Sequence, residues 1–176
     1  APANGKPALW LEFLKRVTDD NQPQIDFLHR CSGYWLTGLA REHSLTFLYG
    51  TGANGKGVFM RTMGGILGTE RSAVQYAASC QMNVFTEARV ERHSTELARL
   101  RGARLVIAEE TAGGAKWDQA KIQWLTGEGL ITARFMRQDD FSYKPAFKLL
   151  LAGNHKPALR SVDEAIKRRF HLVPFT

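Results

Sequence analysis

The segment SLTFLYGTGANGKGVF, residues 44–59, constrains the fold of this chain more than any other part of its sequence. An apolar run that predicts a strand leads directly into a glycine-rich loop, and the helical pattern of GKGVFMRTMGGILG follows. Gly50, Gly55 and Lys56 have the spacing of a phosphate-binding loop, and a strand before the loop and a helix after it are the setting that gives this motif meaning. An ordinary glycine turn is the alternative. The setting favours a loop that binds a nucleoside triphosphate.

The loop departs from its usual form at Gly57, where a serine or threonine commonly places a hydroxyl on magnesium. Its other parts are present, because the backbone N–H groups, the helix N-terminus and the ammonium of Lys56 can all contact phosphate oxygens. Magnesium readily keeps water in its coordination sphere, so we expect weakened metal binding and retained nucleotide binding. Thr51 or Thr62 could supply the hydroxyl. The predicted nucleotide-binding residues are Gly50, Thr51, Gly52, Ala53, Asn54, Gly55, Lys56, Gly57 and Val58.

Strands and helices alternate along the rest of the chain. The segments PALWLEFLKRVTDD and QPQIDFLHRCSGYWLTG predict two helices before the loop. After it, AKWDQAKIQWLTG predicts a helix, and a short helix that opens at Ser161 runs through Arg168. Three buried strands are predicted at RLVIAEE, FKLLLAGN and FHLVPF, and a further strand at AVQYAA. The pattern also predicts a helix over 90–100 and a capping box formed by Ser161 and Glu164. LITARFM and FSYKPAFKLLLAGN predict a hairpin around RQDDF, and the second segment continues into the buried strand FKLLLAGN. In the helix after the loop, the residues expected to face inward are Val58, Met63, Ile66 and Leu67.

This alternation predicts an α/β fold with a mostly parallel central sheet flanked by helices. We expect a short N-terminal helical segment or linker over residues 1–42 and the nucleotide-binding domain over residues 43–176. No apolar run approaches the length of a membrane span, so none is expected. Cys31 and Cys80 lack the spacing of a zinc site or disulfide framework, which favours two reduced thiols in a cytoplasmic protein. The net charge of +7 favours a polyanionic partner.

Polar residues follow two of the predicted strands and could complete a catalytic site. Glu109 and Glu110 close LVIAEE, the kind of position at which hydrolysing phosphate-loop proteins hold magnesium and orient the attacking water. By position we assign Glu109 to the metal and Glu110 to the base. Asn154 closes LLLAGN and could hold that water or the γ-phosphate. The alternative is that these residues have no catalytic role, because adjacent acids also occur on solvated loops and asparagine is common in turns.

Two arginines and a basic hairpin suggest contacts with other molecules. Arg168 and Arg169 stand at the end of a predicted helix, where they could complement the helix dipole or act across a subunit boundary on a γ-phosphate. The hairpin mixes cations with aromatic residues, as surfaces that bind single-stranded nucleic acid do. A hairpin with one packed and one solvated face is the alternative. The cations are Arg134, Arg137, Lys144 and Lys148, and the aromatic residues are Phe135, Phe141 and Tyr143.

Five blocks of the sequence together resemble a known family: YGTGANGKGVF, GARLVIAEE, IQWLTGEGLITARFM, FKLLLAGNHKP and DEAIKRRFHLVPF. They occur in the order seen in the phage and plasmid primase–helicase proteins, whose C-terminal motor belongs to helicase superfamily 3, a branch of the AAA+ ATPases. The resemblance spans residues 10–175, and its last three blocks are more specific than the phosphate loop. It departs at Gly57, where most members carry serine or threonine, which concerns the efficiency of hydrolysis more than the fold.

The resemblance implies an AAA+-like P-loop ATPase that uses ATP and Mg²⁺, assembles as a homo-hexamer and moves along single-stranded DNA to unwind the duplex. The loop lysine, paired acids, sensor asparagine and arginine-finger region of the family correspond here to Lys56, Glu109, Glu110, Asn154, Arg168 and Arg169. The finger would act on the neighbouring subunit's nucleotide. Residues 121–148 match the region of the DNA-contacting hairpin, which adds Lys121 to the candidate DNA-binding residues. A primase domain, where the parent protein has one, would lie upstream, and the source would be a phage, prophage or plasmid in a bacterial host.

Three other functions are compatible with these residues. An ATP-binding module that uses nucleotide only for assembly would explain Gly57 as the sign of a weak or inactive site. A small-molecule kinase would need an acceptor pocket and an arginine-rich lid, neither of which is identifiable. A DNA-binding domain without catalysis would show DNA affinity that salt dependence accounts for entirely and that ATP does not alter. An ATP-dependent DNA helicase motor is the function that the residues and the resemblance favour together.

Overall fold

The computed structural model describes residues 5, 7–68, 75–87, 94–109, 116–155 and 164–176. Its helices are α1 (Ala8–Val17), α2 (Gln22–Leu36), α3 (Lys56–Leu67), α4 (Ser94–Arg99), α5 (Gln119–Thr126) and α6 (Glu164–Arg169), with a short 3₁₀ helix over Met82–Phe85. Its strands are β1 (Leu45–Tyr49), β2 (Ala77–Ser79), β3 (Leu105–Glu109), β4 (Ile131–Ala133), β5 (Phe141–Tyr143), β6 (Lys148–Gly153) and β7 (Phe170–Pro174). None of the helices in these ranges is long and apolar enough to cross a membrane.

Five strands form one parallel sheet in the order β2-β3-β6-β1-β7. The register is level across its centre, since Tyr49 pairs with Gly153 and Glu109 pairs with Ala152. The carboxyl ends of β1, β3 and β6 therefore lie together at one edge, which is where open parallel sheets bind their ligands. This arrangement confirms the predicted α/β fold with a mostly parallel central sheet flanked by helices.

Each face of the sheet has its own core, because side chains of successive strand residues point to opposite faces. On one face α1, α2 and α3 pack against the sheet around Leu14, Leu28 and Phe59, all of them fully buried. On the other face the 3₁₀ helix and α5 pack around Phe85 and Ile122. The two helices predicted before the loop are therefore confirmed, and they pack on the same face as the helix that follows it.

Helix α3 buries a different set of residues from the predicted one. Met63 and Leu67 face inward as expected, whereas Val58 is 46% exposed and Ile66 is 64% exposed. The expectation for these two residues was wrong because α3 turns towards the sheet the side that carries Phe59, which is fully buried. Sequence periodicity predicted the helix but not which of two neighbouring apolar stripes the sheet would cover.

The other differences concern the ends of elements. The hairpin is confirmed as β4 and β5, which pair antiparallel with Ile131 opposite Tyr143. The strand predicted over 73–78 is β2, which begins later. Helix α4 lies within the helix predicted over 90–100, of which residues 90–93 are outside the described residues. Strand and helix ends are the least certain part of any assignment from sequence because they depend on tertiary contacts.

Three further expectations have different outcomes. Ser161 of the predicted capping box lies outside the described residues. Cys31 and Cys80 are separate free thiols, and burial raises the pKa of Cys31 to about 11 and that of Cys80 to about 12. The division between an N-terminal segment (1–42) and an ATPase domain (43–176) stays a prediction.

Candidate nucleotide-binding site

The glycine loop lies at the carboxyl edge of the sheet, between β1 and α3. Gly50 has a φ of 151°, and a Cβ on it would lie 2.1 Å from the carbonyl oxygen of Phe175, so only glycine fits. Gly55 has a φ of 84°, and its Cβ would lie 2.8 Å from a methyl group of Val17 on α1. The side-chain amide of Asn54 donates to the Phe175 carbonyl oxygen at 2.6 Å. The loop is therefore held between α1 and the residue that follows β7.

Lys56 is the first residue of α3 and is only 9% exposed. Its ammonium donates hydrogen bonds to the carbonyl oxygen of Gly50 at 2.7 Å and to Oδ1 of Asn54 at 2.8 Å. Burial lowers the pKa of Lys56, and the nearby Glu109 carboxylate offsets part of that shift. The ammonium is thus held inside the turn, within reach of any phosphate that the loop would bind.

A cleft of about 320 Å³ opens over the loop and the start of α3. Asn154, which directly follows β6, lines this cleft together with Lys56, so two predicted catalytic side chains meet there. The loop backbone supplies much of the remaining wall. The residues that line the cleft are Gly52, Ala53, Asn54, Gly55, Lys56, Gly57, Val58, Arg61 and Asn154.

Glu109 ends β3 and faces the beginning of α3 across β6. Its Oε1 lies 3.5 Å from the position that a Cβ on Gly57 would take, and its side chain is exposed. The carboxylate therefore stands beside the cleft, where a magnesium ion on bound phosphates would need oxygen ligands. Glu110, the predicted base, lies outside the described residues and stays a prediction.

Arg61 is a cleft residue that the sequence patterns did not single out. It stands one helical turn after Gly57, and its Nη1 lies 3.1 Å from the position of a Cβ on Gly57. Its spacing is the signal that could have identified it, because residues four apart share a helix face and a glycine leaves that face open.

Two larger cavities adjoin the cleft. One of about 820 Å³ lies between α3 and the strands β2 and β3, and both Arg61 and Glu109 line it. The other, about 660 Å³ in volume, lies between α1 and α3 and meets the cleft at Val58. Its wall includes the aromatic rings of Trp10 and Phe13. The cleft is therefore flanked by open space on two sides of α3.

The two predicted finger residues lie far from this chain's own cleft. Arg168 and Arg169 end α6, immediately before β7. Since β7 runs parallel to β1, they lie at the amino edge of the sheet, opposite the edge that carries the loop. Neither arginine lines the cleft. Their action on a neighbouring subunit's nucleotide stays a prediction.

The hairpin of β4 and β5 presents three exposed cations, Arg134, Arg137 and Lys144. Arg134 lies 3.9 Å from the carboxylate of Asp140 near the turn. Lys121, a fourth candidate, is partly buried on α5. The exposed cations of the hairpin could contact phosphates, and their DNA binding stays a prediction.

The aromatic residues of the hairpin divide into two groups. Phe135 stacks on Phe141 with ring centroids 5.9 Å apart, and both rings are partly accessible. Tyr143 is buried, and its hydroxyl donates to the carbonyl oxygen of Leu97 at 2.6 Å. Tyr143 therefore belongs to the core, whereas the two phenylalanines remain candidates for stacking with bases.

Lys148 is placed differently from the other predicted DNA-binding residues. It is 4% exposed, and its ammonium donates to the carbonyl oxygen of Thr37 and lies 4.9 Å from the ring centre of Tyr34. Thr37 directly follows α2, whose carbonyl end favours a cation. The ammonium is therefore engaged inside the protein and is not presented with the hairpin cations, because β6 is buried along its whole length.

Lys148 should make the stability of the protein depend on pH. Burial, with a smaller effect of Arg104, lowers the pKa of Lys148 from 10.5 to about 8. Between these values the unfolded chain binds more protons than the folded one, so the free energy of unfolding gains a term that rises with pH. Lys148→Met should remove that term. Denaturant titrations of both proteins at several pH values test this.

The difference in the free energy of unfolding between wild type and Lys148→Met cancels the contributions of groups that titrate alike in both proteins. The wild type should gain stability relative to Lys148→Met as the pH rises from 8 to 10, because over this range Lys148 is largely deprotonated in the folded protein and still protonated in the unfolded chain. A relative stability that falls or stays constant over this window would contradict the lowered pKa of Lys148.

Known proteins show two kinds of similarity to this chain. A family model described as a family of unknown function, DUF5906, matches residues 48–169. The chain is 29% identical over 168 residues to the putative helicase L207/L206 of Acanthamoeba polyphaga mimivirus, covering 93% of this chain and 16% of that protein. It is 27% identical over 171 residues to the putative helicase 022R of Frog virus 3 (isolate Goorha), and the match covers 94% of this chain and 17% of that protein.

The fold is similar to that of a solved protein. The C-terminal region of NrS-1 superposes with a TM-score of 0.68 at 13% sequence identity, covering 98% of this chain and 39% of that chain. This likeness concerns the fold alone. The chain spans 16% and 17% of the lengths of the two curated relatives, so most of each relative lies outside the region of similarity.

Proposed function

This chain belongs to the family of unknown function DUF5906, and we propose that it is the ATP-hydrolysing motor of a DNA helicase. The observation that carries the proposal is the meeting of Lys56, Asn154 and Glu109 at one edge of a parallel sheet. Two relatives named putative helicases, both from viruses, support a helicase-like function. The finer proposal is a superfamily 3 motor of a phage or plasmid replication protein, with residues 43–176 as its ATPase domain.

The loop would bind the triphosphate of ATP through the N–H groups of residues 50–58 and the positive end of α3. The Lys56 ammonium, which now donates to Gly50 and Asn54, would turn to the β- and γ-phosphate oxygens. Its hydrogen bonds to anionic oxygens would be stronger than those to neutral carbonyl groups. The Lys56 ammonium is therefore already positioned in the loop, and phosphate oxygens would replace its present acceptors, the Gly50 carbonyl oxygen and Asn54 Oδ1.

The side chains at the cleft fit a magnesium ion of the kind bound chiefly through phosphates. Such an ion takes one or two carboxylates and completes its coordination with phosphate and water oxygens. Glu109 offers one carboxylate beside the cleft, and Glu110 is the second candidate. The described residues contain no group of three or more acidic, histidine or cysteine side chains that could hold a metal ion by themselves. When bound, Mg²⁺ would neutralise part of the phosphate charge.

Hydrolysis would use the polar residues around the γ-phosphate. The Asn154 carboxamide, which lines the cleft, would orient the attacking water, and Glu110 would accept its proton. In a homo-hexamer, Arg168 or Arg169 of one subunit would stabilise charge on the nucleotide of the next. Their position at the opposite edge of their own sheet supports action on another subunit's site.

The exposed hairpin would be the part that contacts single-stranded DNA. Arg134, Arg137 and Lys144 would meet phosphates, and the Phe135–Phe141 pair would offer a stacking surface. Lys121 is a further candidate beside the hairpin. Lys148 is not among these proposed contacts, because its ammonium is held inside the protein.

Release of phosphate from ATP, with and without single-stranded DNA, tests the proposed function. The wild type should hydrolyse ATP faster with DNA present. Glu109→Gln should raise the Mg²⁺ concentration needed for half-maximal hydrolysis by about tenfold or more, because an amide is a weaker ligand than a carboxylate. Glu128→Gln, at an exposed acid outside the cleft, is the matched control and should behave as wild type.

A nucleotide-dependent assembly module is the second candidate, and Gly57 is the observation that favours it. Such a module would bind ATP and change its oligomeric state without turnover. Assembled, DNA-saturated protein that binds ATP but releases no phosphate would contradict the motor and support the module. The same experiment therefore distinguishes the two functions.

A further inference from the structure

Gly57 and Arg61 form an arrangement at the start of α3 that the phosphate loop does not require. The Arg61 guanidinium reaches back along the helix, so that Nη1 lies 3.1 Å from the position of a Cβ on Gly57. That distance is tighter than nine in ten contacts of a real Cβ, so a side chain at position 57 would require the guanidinium of Arg61 to shift by a few tenths of an ångström. The guanidinium thus stands next to the position where a serine or threonine hydroxyl would begin.

The surroundings of Arg61 place a cation between two parts of the site. Arg61 lines both the cleft over the loop and the larger cavity next to β3. Glu109 Oε1 lies 3.5 Å from the same Cβ position, so the carboxylate and the guanidinium approach Gly57 together. Arg61 is exposed, and its charge is available to a ligand in the cleft.

We propose that Arg61 takes over, within the same chain, part of the task of the missing hydroxyl by binding the phosphate oxygens of the nucleotide directly. This inference rests on the proposed function, since it needs a triphosphate on the loop. A hydroxyl acts there by holding magnesium, whereas a guanidinium supplies positive charge and up to two N–H donors to the phosphates itself. The absence of a side chain at Gly57 then leaves room for the Arg61 guanidinium beside the phosphates, so the two residues depend on each other.

The proposal predicts that the cleft binds a triphosphate with little help from metal. Arginine is always protonated and matches the geometry of phosphate oxygens, so its contribution persists when magnesium is removed. A loop that relied on a hydroxyl and a metal ion would lose most of its affinity under those conditions. The dependence of nucleotide affinity on Mg²⁺ is therefore the property that separates the two designs.

The experiment measures the dissociation constants of ATP and of inorganic triphosphate by calorimetry, in EDTA and in Mg²⁺. Arg61→Ala should weaken binding in EDTA by about tenfold to a hundredfold, the usual range for a lost charged hydrogen bond, and less in Mg²⁺. Arg61→Lys should restore part of the loss. Arg30→Ala, an exposed arginine on α2, is the matched control and should bind as wild type.

A second set of variants tests whether Gly57 and Arg61 act together. Gly57→Ser should also weaken binding in EDTA, by no more than Arg61→Ala does, because its Cβ requires the guanidinium to shift from its position. The double variant should be no weaker than Arg61→Ala, since both substitutions affect the same contact. Thermal melting of each variant without nucleotide identifies any loss of folding.

The outcomes separate this inference from the proposed function. If the wild type binds ATP and Arg61→Ala binds it equally well in EDTA, Arg61 does not contact phosphate and the inference alone fails. If Gly57→Ser tightens binding in EDTA while Arg61 is intact, the two residues do not compete and the inference fails as well. If the wild type binds neither ATP nor triphosphate in either buffer, both the inference and the proposed function fail.

Discussion

Lys56→Ala should lower the rate of ATP hydrolysis by about a hundredfold or more, the effect expected when one preorganised donor to developing charge is removed. The Lys56 ammonium is held in the turn by Gly50 and Asn54, next to the cleft that Asn154 also lines. Its charge would lie next to the β- and γ-phosphate oxygens, on which negative charge changes as the bond from the γ-phosphorus to the bridging oxygen breaks, and alanine offers no replacement. Steady-state phosphate release at saturating DNA measures the effect.

Two comparisons make this result specific. Lys15→Ala removes a lysine that is 58% exposed at the end of α1, and it should leave hydrolysis unchanged. The thermal melting curve of Lys56→Ala without nucleotide should stay close to that of wild type, because Asn54, one of the two acceptors, lines the open cleft and Gly50, the other, is only partly buried. Turnover equal to wild type in Lys56→Ala would refute the assignment of this loop as the hydrolytic site.

Phe59→Ala should lower the free energy of unfolding by about 3–5 kcal/mol, the usual cost of deleting a buried phenylalanine ring. Phe59 is fully buried, and its ring centre lies 5.5 Å from that of Trp10, 6.2 Å from that of Trp35 and 5.8 Å from that of Phe175. One side chain of α3 therefore joins α1, α2 and the end of β7. Its removal leaves a cavity that none of these large rings can fill without moving.

Ile66→Ala is the matched control for this prediction because it shortens another apolar residue of the same helix. Ile66 is 64% exposed, so its truncation should change the free energy of unfolding by no more than about 0.5 kcal/mol. Denaturant titrations give both values. Equal losses for the two variants would mean that α3 does not bury Phe59 in preference to Ile66.

The sequence was sufficient for the fold class and for the convergence of three residues. Alternating strands and helices lead to a parallel sheet, and the carboxyl ends of parallel strands meet at one edge. Lys56, Glu109 and Asn154 each follow or end a strand that reads as buried, so their meeting follows from topology. The structure shows in addition that β1, β3 and β6 end at the same level of the sheet, which the sequence did not reveal.

Other features could not be predicted because they depend on side chains from distant elements. The guanidinium of Arg61 lies next to the position that a side chain on Gly57 would take, and a motif defined by residue types does not describe such a contact. Lys148 lies close in sequence to the hairpin cations, but its ammonium is held by the carbonyl group of Thr37, the residue that follows α2. Val58 and Ile66 follow a helical period, and only the packing of α3 decides their exposure.

The hydrogen bond between Asn54 and the carbonyl group of Phe175 has a mechanical consequence. Phe175 directly follows β7, and β7 directly follows Arg169. A five-residue strand spans about 17 Å at the usual rise per residue, and this one is bonded to β1 along its length. In the proposed ring, a neighbouring subunit that contacts α6 could exert a force on it. Strand β7 would transmit that force to the phosphate loop of its own subunit, so that hydrolysis in one subunit would affect the nucleotide bound by the next.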